Sequence, residues 1–505
     1  MVDSGPGGEL PDRESKHLVK GRAVANRAWP TRPLATVVIA LALLNVFTLG
    51  AGAAVASLMP AQLAKWNVAR VAGRPLSAAG PVLPGVTATA PLPTSRGLAA
   101  ALSGVMSSAG LGPQTGLVVT DPASGRVLYA NGAATMLQPA STAKLTTAVA
   151  ALDVLGPDAR FSTRVTTGGT PGSIVLVGGG DPTLAAGPPP ASDYPQPATL
   201  KALAAATARA LRARGRDSVR LSYDTSLFTG PALAPGWPAA YVSTGNVTAI
   251  TALEVDQGRL TPSGAPQDAD DPLNFRPRST DPAGQAAAAF RAFLAADGIH
   301  VLGQLGQQTA PRRAPSLAAV SSPPLSAMVG WMLRESNNVI AENLARQVAL
   351  REGKPASFSG AAAAVTHVLG SLGLRRGIHL VDGSGLSPQD RIAPSLLARL
   401  IGLAASSRHP QLRAAITGLP VAGFLGTLAP GQSVFGGLGG PGLGVVRAKT
   451  GNLSTVATLA GLVYDSSGQV LGFAFMTNGV PAAKLGQAAK GIGAMASALA
   501  RCGCR

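Results

Sequence analysis

The stretch Pro139-Ala140-Ser141-Thr142-Ala143-Lys144-Leu145 sets a serine and a lysine three residues apart at the head of an apolar run. Leu145, Val149, Leu152 and Leu155 recur at helical spacing, with alanines between them and a break at Gly156. The run predicts a helix of about four turns with Ser141 in its first turn. Side chains three residues apart share one face of a helix, which brings the Lys144 amine within reach of the Ser141 hydroxyl. A buried lysine gives up its proton more readily than a solvated one, and the N–H groups of a helix start favour developing negative charge. That is the geometry of a nucleophile and its base.

SxxK by itself is a weak signal, because two fixed residues in four recur by chance. The chain has only nine lysines, so one inside an alanine-rich helix is not there by compositional habit. Two partner motifs follow, Ser336-Asn337-Asn338 and Lys449-Thr450-Gly451. Acyl transfer from an amide needs a nucleophile, a base, a proton donor for the leaving amine and donors for the oxyanion. On this reading Ser141 attacks, Lys144 takes its proton and Ser336 protonates the departing amine. Asn338 holds the substrate amide, while Lys449 and Thr450 offer positive charge and a hydroxyl to a substrate carboxylate. Gly451 lets a substrate strand approach the sheet edge, and the N–H groups of Ser141 and Asn452 form the oxyanion hole.

Other schemes lack their parts. The five histidines (His17, His300, His367, His379 and His409) sit in no triad motif, and Ser384 lies in GSG rather than GxSxG. Neither HExxH nor a cysteine cluster is present, so no metal and no cofactor is expected.

At 505 residues and 46% hydrophobic content the chain can hold two or three domains around a large core. Its 62 glycines and 41 prolines are aperiodic and point to loops and linkers. The net charge of +18 and pI near 10.9 raise nucleic acid as a partner. The charge is spread as single arginines and only 4% of residues are aromatic, which argues against that partner. A solvated surface is the plain reading, and attraction to an anionic cell envelope the functional one. Cys502 and Cys504 imply no disulfide framework.

Residues 1–33 are polar and end in a basic flank. Residues 34–59 carry no charge and, as a helix, would span roughly 39 Å, enough to cross a bilayer at a tilt with the N-terminus inside. This reads as an uncleaved membrane anchor; a cleaved signal peptide, cut near Ala51-Gly52-Ala53, is the competing reading. Either way the body lies outside the cytoplasm. Residues 60–95 form an Ala/Pro-rich linker.

The folded part begins with a helix over 96–109, then two strands around Asp121-Pro122-Ala123-Ser124-Gly125, then the SxxK helix. The 191 residues between Lys144 and Ser336 (336 − 144 − 1) exceed what one crossover needs, so a mainly β-containing domain, 166–320, is inserted between the catalytic segments 96–165 and 321–500. Its glycine triplet Gly178-Gly179-Gly180 lacks the Lys and Ser/Thr of a P-loop and reads as a strand-end turn. Helices over 325–333 and 339–350 leave Ser336 and Asn338 on a tight connection, where they either face a cleft or cap the second helix. A strand over 445–449, a hairpin over 455–476 and a last helix over 482–500 complete an α+β or mixed α/β body whose main sheet uses both chain ends.

SxxK, SxN and KTG in this order resemble the penicillin-recognising serine acyltransferases. QPASTAKL (138–145), VGGGDPTL (177–184), DGSGLS (382–387) and LPVAGFLGTL (419–428) resemble, more narrowly, the D-alanyl-D-alanine carboxypeptidase/endopeptidase family of low-molecular-mass class C penicillin-binding proteins, over about residues 96–500. The resemblance implies a β-lactamase/transpeptidase-like domain with an insert. It also implies removal of terminal D-alanine from peptidoglycan stem peptides, often with cross-link cleavage, and inhibition by β-lactams. It assigns the family's nucleophile, base, SxN pair and KTG residues to Ser141, Lys144, Ser336, Asn338, Lys449, Thr450 and Gly451. Two departures stand out: Asn452 replaces the usual Thr or Ser after KTG, and the insert is short.

A β-lactamase is the nearest rival enzyme. None of Glu254, Glu335, Glu342 or Glu352 begins the ExxLN stretch of a class A deacylating base, and the tyrosine motif of class C is replaced by Ser336. A wall-binding scaffold that has kept the fold and lost turnover is the rival from another class, and Asn452 is the residue that keeps it open.

Overall fold

The first helix, α1 (Ser95–Ser108), starts where Thr94 Oγ1 accepts the Gly97 N–H. The structure, a computed structural model, describes residues 91–191, 194–260, 276–431, 435 and 440–504. The expected tail (1–33), anchor or signal segment (34–59) and the linker as far as residue 90 lie outside the described residues. Among the described residues no helix is long and apolar enough to cross a membrane.

Strands β1 (Gln114–Thr120) and β2 (Val127–Asn131) flank the DPASG turn, closed by the Asp121 N–H on the Arg126 carbonyl at 2.9 Å. Next comes the SxxK segment, which differs from the expected continuous helix. A 3₁₀ turn (Ala140–Ala143) carries Ser141, and α2 (Lys144–Leu155) starts at the lysine. The Lys144 N–H bonds the Ser141 carbonyl. In 3₁₀ geometry residues i and i+3 eclipse, so the tighter turn stacks Lys144 over Ser141 more directly than an α-turn would.

Chain order then gives β3 (Ser162–Thr167), β4 (Ser173–Val177), α3 (Leu200–Arg212), β5 (Ser218–Asp224), α4 (Pro282–Ala296), β6 (His300–Gln307) and β7 (Ser316–Ser321). They build a five-stranded mixed sheet in the order β6-β5-β4-β3-β7, with β4, β5 and β6 parallel. α3 and α4 close one face around Val165, Leu176, Leu203, Leu221 and Phe290. Parallel neighbours require crossovers, and these two helices supply them. Gly178-Gly179-Gly180 runs on from the end of β4, the Gly178 N–H on the Asp224 carbonyl and the Gly180 N–H on the Ala252 carbonyl, and the Gly179 carbonyl accepts Gln347 Nε2 at 2.8 Å.

The remainder runs α5 (Leu325–Arg334), α6 (Asn338–Arg351), α7 (Phe358–Ser371), α8 (Pro394–Ala405), β8 (Val446–Leu453), β9 (Val456–Tyr464), β10 (Val470–Asn478) and α9 (Leu485–Arg501). The main sheet has the order β8-β9-β10-β1-β2, all antiparallel, so it is indeed built from both chain ends. Period-two alternation divides its side chains between two cores. Leu117, Val119, Leu459, Phe473 and Phe475 meet α1 and α9. Val118, Ala460, Ala474 and Met476 meet the helical body of α2, α5, α6, α7 and α8. The sheet is thus the middle layer of an α/β/α sandwich. β8 is longer than expected. Gly451 pairs with Thr458 and Asn452 with Ala457, so the ladder overrides the poor strand propensity of Gly and Asn and takes in the whole KTG motif.

Candidate active site

Four segments meet at the Ser141 turn. Lys144 is fully buried, and its Nζ donates to Ser141 Oγ at 2.8 Å, to Asn338 Oδ1 at 2.6 Å and to the Ser384 carbonyl at 2.8 Å. An ammonium has three protons and an amine two plus a lone pair, so a neutral Lys144 keeps two of these contacts and turns its lone pair on the Ser141 proton. Burial lowers its pKa to about 7, against the raising influence of Asp382, Glu342 and Asp390. Those acids give up part of that influence. Burial first, and Asp382's charge second, push both Glu342 and Asp390 upward toward their neutral forms.

Asn338 is the first residue of α6, and both ends of its amide are engaged. Its Oδ1 accepts from Lys144 and its Nδ2 donates 2.8 Å to the Asn246 carbonyl. Since Lys144 only donates and a carbonyl only accepts, the amide orientation is fixed. Asn337 caps α6, its Oδ1 accepting the Ile340 N–H at 3.0 Å, while its Nδ2 reaches Gln257 Oε1 at 2.7 Å. The cap is thus Asn337 and not Ser336 or Asn338, whose side chains instead meet the two buried lysines, Asn338 at Lys144 and Ser336 at Lys449. Ser336 sits at φ 55°, a left-handed conformation that a turn two residues ahead of a helix forces on it.

Lys449 is fully buried and donates to Ser336 Oγ at 2.9 Å and to the Thr450 carbonyl at 2.8 Å. Burial holds its pKa well below the usual lysine range and the Lys144 charge adds to this. A carboxylate placed beside Lys449 favours its charged form. The Ala448 N–H bonds the Pro420 carbonyl at 3.1 Å, away from β9. By strand alternation Thr450 and Asn452 turn their N–H groups to the same free edge. Gly451 faces inward: a Cβ there would strike Thr458 Oγ1 and lie 2.8 Å from the Pro139 carbonyl oxygen and 3.1 Å from the Ser141 nitrogen. Its lack of a side chain thus serves the approach of β8 to the nucleophile turn, where the sequence reading assigned it to an incoming strand. Gly451→Ala is expected to cost about 1–3 kcal/mol, read as a fall in melting temperature, and to slow Ser141 acylation together with it.

Three contributions were not legible as site residues. The DGSGLS loop aims the Ser384 carbonyl at Lys144, and Asp382 folds it by accepting the N–H groups of Ser384 (3.0 Å), Gly385 (2.6 Å) and Ser387 (2.6 Å), with the Trp237 indole N–H at 2.8 Å. Glu342, one turn along α6 from Asn338, accepts the Gly383 N–H at 3.1 Å. Thr427 Oγ1 lies 2.8 Å from Thr450 Oγ1. An aspartate followed by glycines and serines signals an Asx-type turn, and Glu342 at i+4 from Asn338 shares its helix face; Thr427 had no local signal.

The profile of the D-Ala-D-Ala carboxypeptidase 3 (S13) family matches residues 98–276 and 264–499. The chain belongs to this family. It is 38% identical over 433 residues to carboxypeptidase DacB of Mycolicibacterium smegmatis, covering 85% of this chain and 89% of that protein. It is 29% identical over 438 residues to the D-alanyl-D-alanine carboxypeptidase of an Actinomadura species, covering 73% and 78%. As a fold, this S13 peptidase is similar to penicillin binding protein 4 (dacB) from Haemophilus influenzae, with a TM-score of 0.62 at 23% identity over 77% of this chain and 97% of that one.

Proposed function

We propose that this S13 carboxypeptidase removes the terminal D-alanine of peptidoglycan stem peptides through an acyl-enzyme on Ser141. The observation that carries this is the fully buried Lys144 amine, 2.8 Å from Ser141 Oγ with a pKa near 7. Lys144 takes the Ser141 proton as Oγ attacks the penultimate D-alanine carbonyl. The N–H groups of Ser141 and Asn452 receive the oxyanion. Collapse breaks the C–N bond and the leaving amine takes the Ser336 proton, which the Lys449 ammonium 2.9 Å away replaces. Lys144 then releases its proton to solvent and Lys449 regains one from it, after which water adds its hydroxyl to the acyl carbon and passes its proton through Lys144 to Ser141 Oγ as the ester bond breaks, returning both lysines and Ser141 to their starting states. Lys449 and Thr450 hold the carboxylate of the leaving residue, and Asn338 orients Lys144.

Finer parts of the reading are cleavage of D-alanyl cross-links, covalent inhibition by penicillins, and an inserted domain (166–320) whose Asn246 and Gln257 brace the SNN turn. Anchoring outside the cytoplasm through residues 34–59 completes it. The test is labelling with a fluorescent penicillin, mass mapping of the adduct, and D-alanine release from a pentapeptide, with Ser141→Ala as control. Label on Ser141 with D-alanine release supports the reading, label without release favours the wall-binding scaffold, and absence of label on folded protein overturns the catalytic reading and leaves that scaffold.

A further inference from the structure

Behind Lys144 lies a buried ion pair that the acyl-transfer steps leave without a task. Arg346, one turn along α6 from Glu342, is buried, and its Nη1 lies 3.6 Å from Glu342 Oε2 and donates to the Glu342 carbonyl at 3.2 Å. Its Cζ lies 4.0 Å from the ring centroid of Phe358, at the start of α7, and 5.7 Å from that of Phe228, in the inserted domain. Ring faces attract a guanidinium, so two rings from two other segments fix where this charge sits. Among the described residues Glu342 is the carboxylate in ion-pair contact with it.

Glu342 in turn faces the loop that meets Lys144. Both of its carboxylate oxygens lie 3.1 Å from the Gly383 nitrogen. So close an approach needs a glycine: a Cβ on Gly383 would lie 2.7 Å from Ala345 Cβ and 3.0 Å from the Ala341 carbonyl oxygen. The Gly383 carbonyl accepts Thr147 Oγ1 of α2 at 2.6 Å, and the next carbonyl, of Ser384, accepts Lys144 Nζ at 2.8 Å. Contacts thus run without a gap from Arg346 through Glu342, Gly383 and Ser384 to Lys144.

Desolvating two charges offsets most of their attraction, so a buried ion pair is a poor device for stability. It is a useful one beside a buried base. Lys144 becomes an ammonium as Ser141 attacks, and an anion nearby favours that charged form. The charged groups around Lys144 are Asp382 and Asp390 from the loop and the segment after it, Glu342 from α6 and Lys449 from β8. Glu342 itself faces Asp382, Asp390 and Arg346, and Arg346 faces Glu342, Asp382 and the inserted domain's Glu254. Burial and the Asp382 charge oppose ionisation of Glu342, and Arg346 is the charged group that favours it.

We propose that Arg346 is a positioning residue for acylation: it keeps the Glu342 carboxylate charged, and that carboxylate steadies both the Gly383–Ser384 peptide and the ammonium that Lys144 becomes. This rests on the acyl-transfer reading above.

The experiment follows acylation of Ser141 by a fluorescent penicillin in stopped flow from pH 5 to 9, on the full chain, in wild type, Glu342→Gln, Arg346→Met, Arg346→Gln and the Glu342→Gln/Arg346→Met double variant. The Glu342 charge raises the Lys144 pKa, so its removal lowers that pKa. The acid limb is therefore expected to move to lower pH by about half a unit or more in Glu342→Gln. The plateau should fall about three- to tenfold with it, because a weaker base takes the proton less readily. Either neutral replacement of Arg346 should reproduce both changes, and the double variant should move the limb no further than a single one, as for two residues acting through one charge. A plateau that falls with the limb unmoved is loss of packing alone and overturns the proposal, as does a double variant whose limb shift is the sum of the two. A wild type that takes no label on Ser141 overturns the acyl-transfer reading and this one with it, whereas an unmoved limb in variants that label leaves that reading standing.

Discussion

Lys144→Met is expected to slow acylation of Ser141 by about 10²- to 10⁴-fold, the range for loss of a positioned general base. The methionine keeps length and apolar bulk and removes the one atom that touches Ser141, Asn338 and the Ser384 carbonyl together. The same lysine predicts the pH profile of the unaltered enzyme. Only the neutral amine accepts a proton, and burial brings its pKa to about 7. Acylation therefore falls about tenfold per unit as pH drops below this value and levels off above it. Stopped-flow labelling with a fluorescent penicillin between pH 5 and 9 measures both effects. A Lys144→Met enzyme that keeps a limb near pH 7 would show that another group is the base.

The second large effect is expected at Asp382, which touches neither Ser141 nor Lys144. Asp382→Ala removes a buried acceptor shared by three backbone N–H groups and the Trp237 indole. Each orphaned buried donor costs about 1–3 kcal/mol, and the losses are not additive because the loop relaxes. A destabilisation of about 3 kcal/mol or more is expected by calorimetry or denaturant melting. Acylation should fall further than melting explains, since the loop also aims the Ser384 carbonyl at the Lys144 amine. Asp382→Asn keeps one oxygen but turns an NH₂ toward N–H donors, and its effect should lie between wild type and alanine. A full acylation rate in folded Asp382→Ala would overturn this view of the loop.

The sequence was most informative where one local rule decides the outcome. The reach of Lys144 to Ser141, the two strands around the DPASG turn and the hairpin over 455–476 are each set by a few neighbouring residues, and they are found as read. Misreadings cluster where tertiary packing outvotes local preference. Ser141 lies in a 3₁₀ turn because β8 packs against it at Gly451, and β8 runs through Gly451 and Asn452 because β9 offers an unbroken ladder.

The sequence by itself determined which candidate reacting groups the chain carries, their order along it and the class of chemistry open to them, since each motif is short-range and carries its own side chains. Only the tertiary structure decided what surrounds those groups. Glu342, Asp382, Asn246 and Thr427 come from segments far apart in the chain. The pKa of Lys144 and the hydroxyl pair at Thr450 arise from burial and from distances between such segments, quantities with no local signature in the chain.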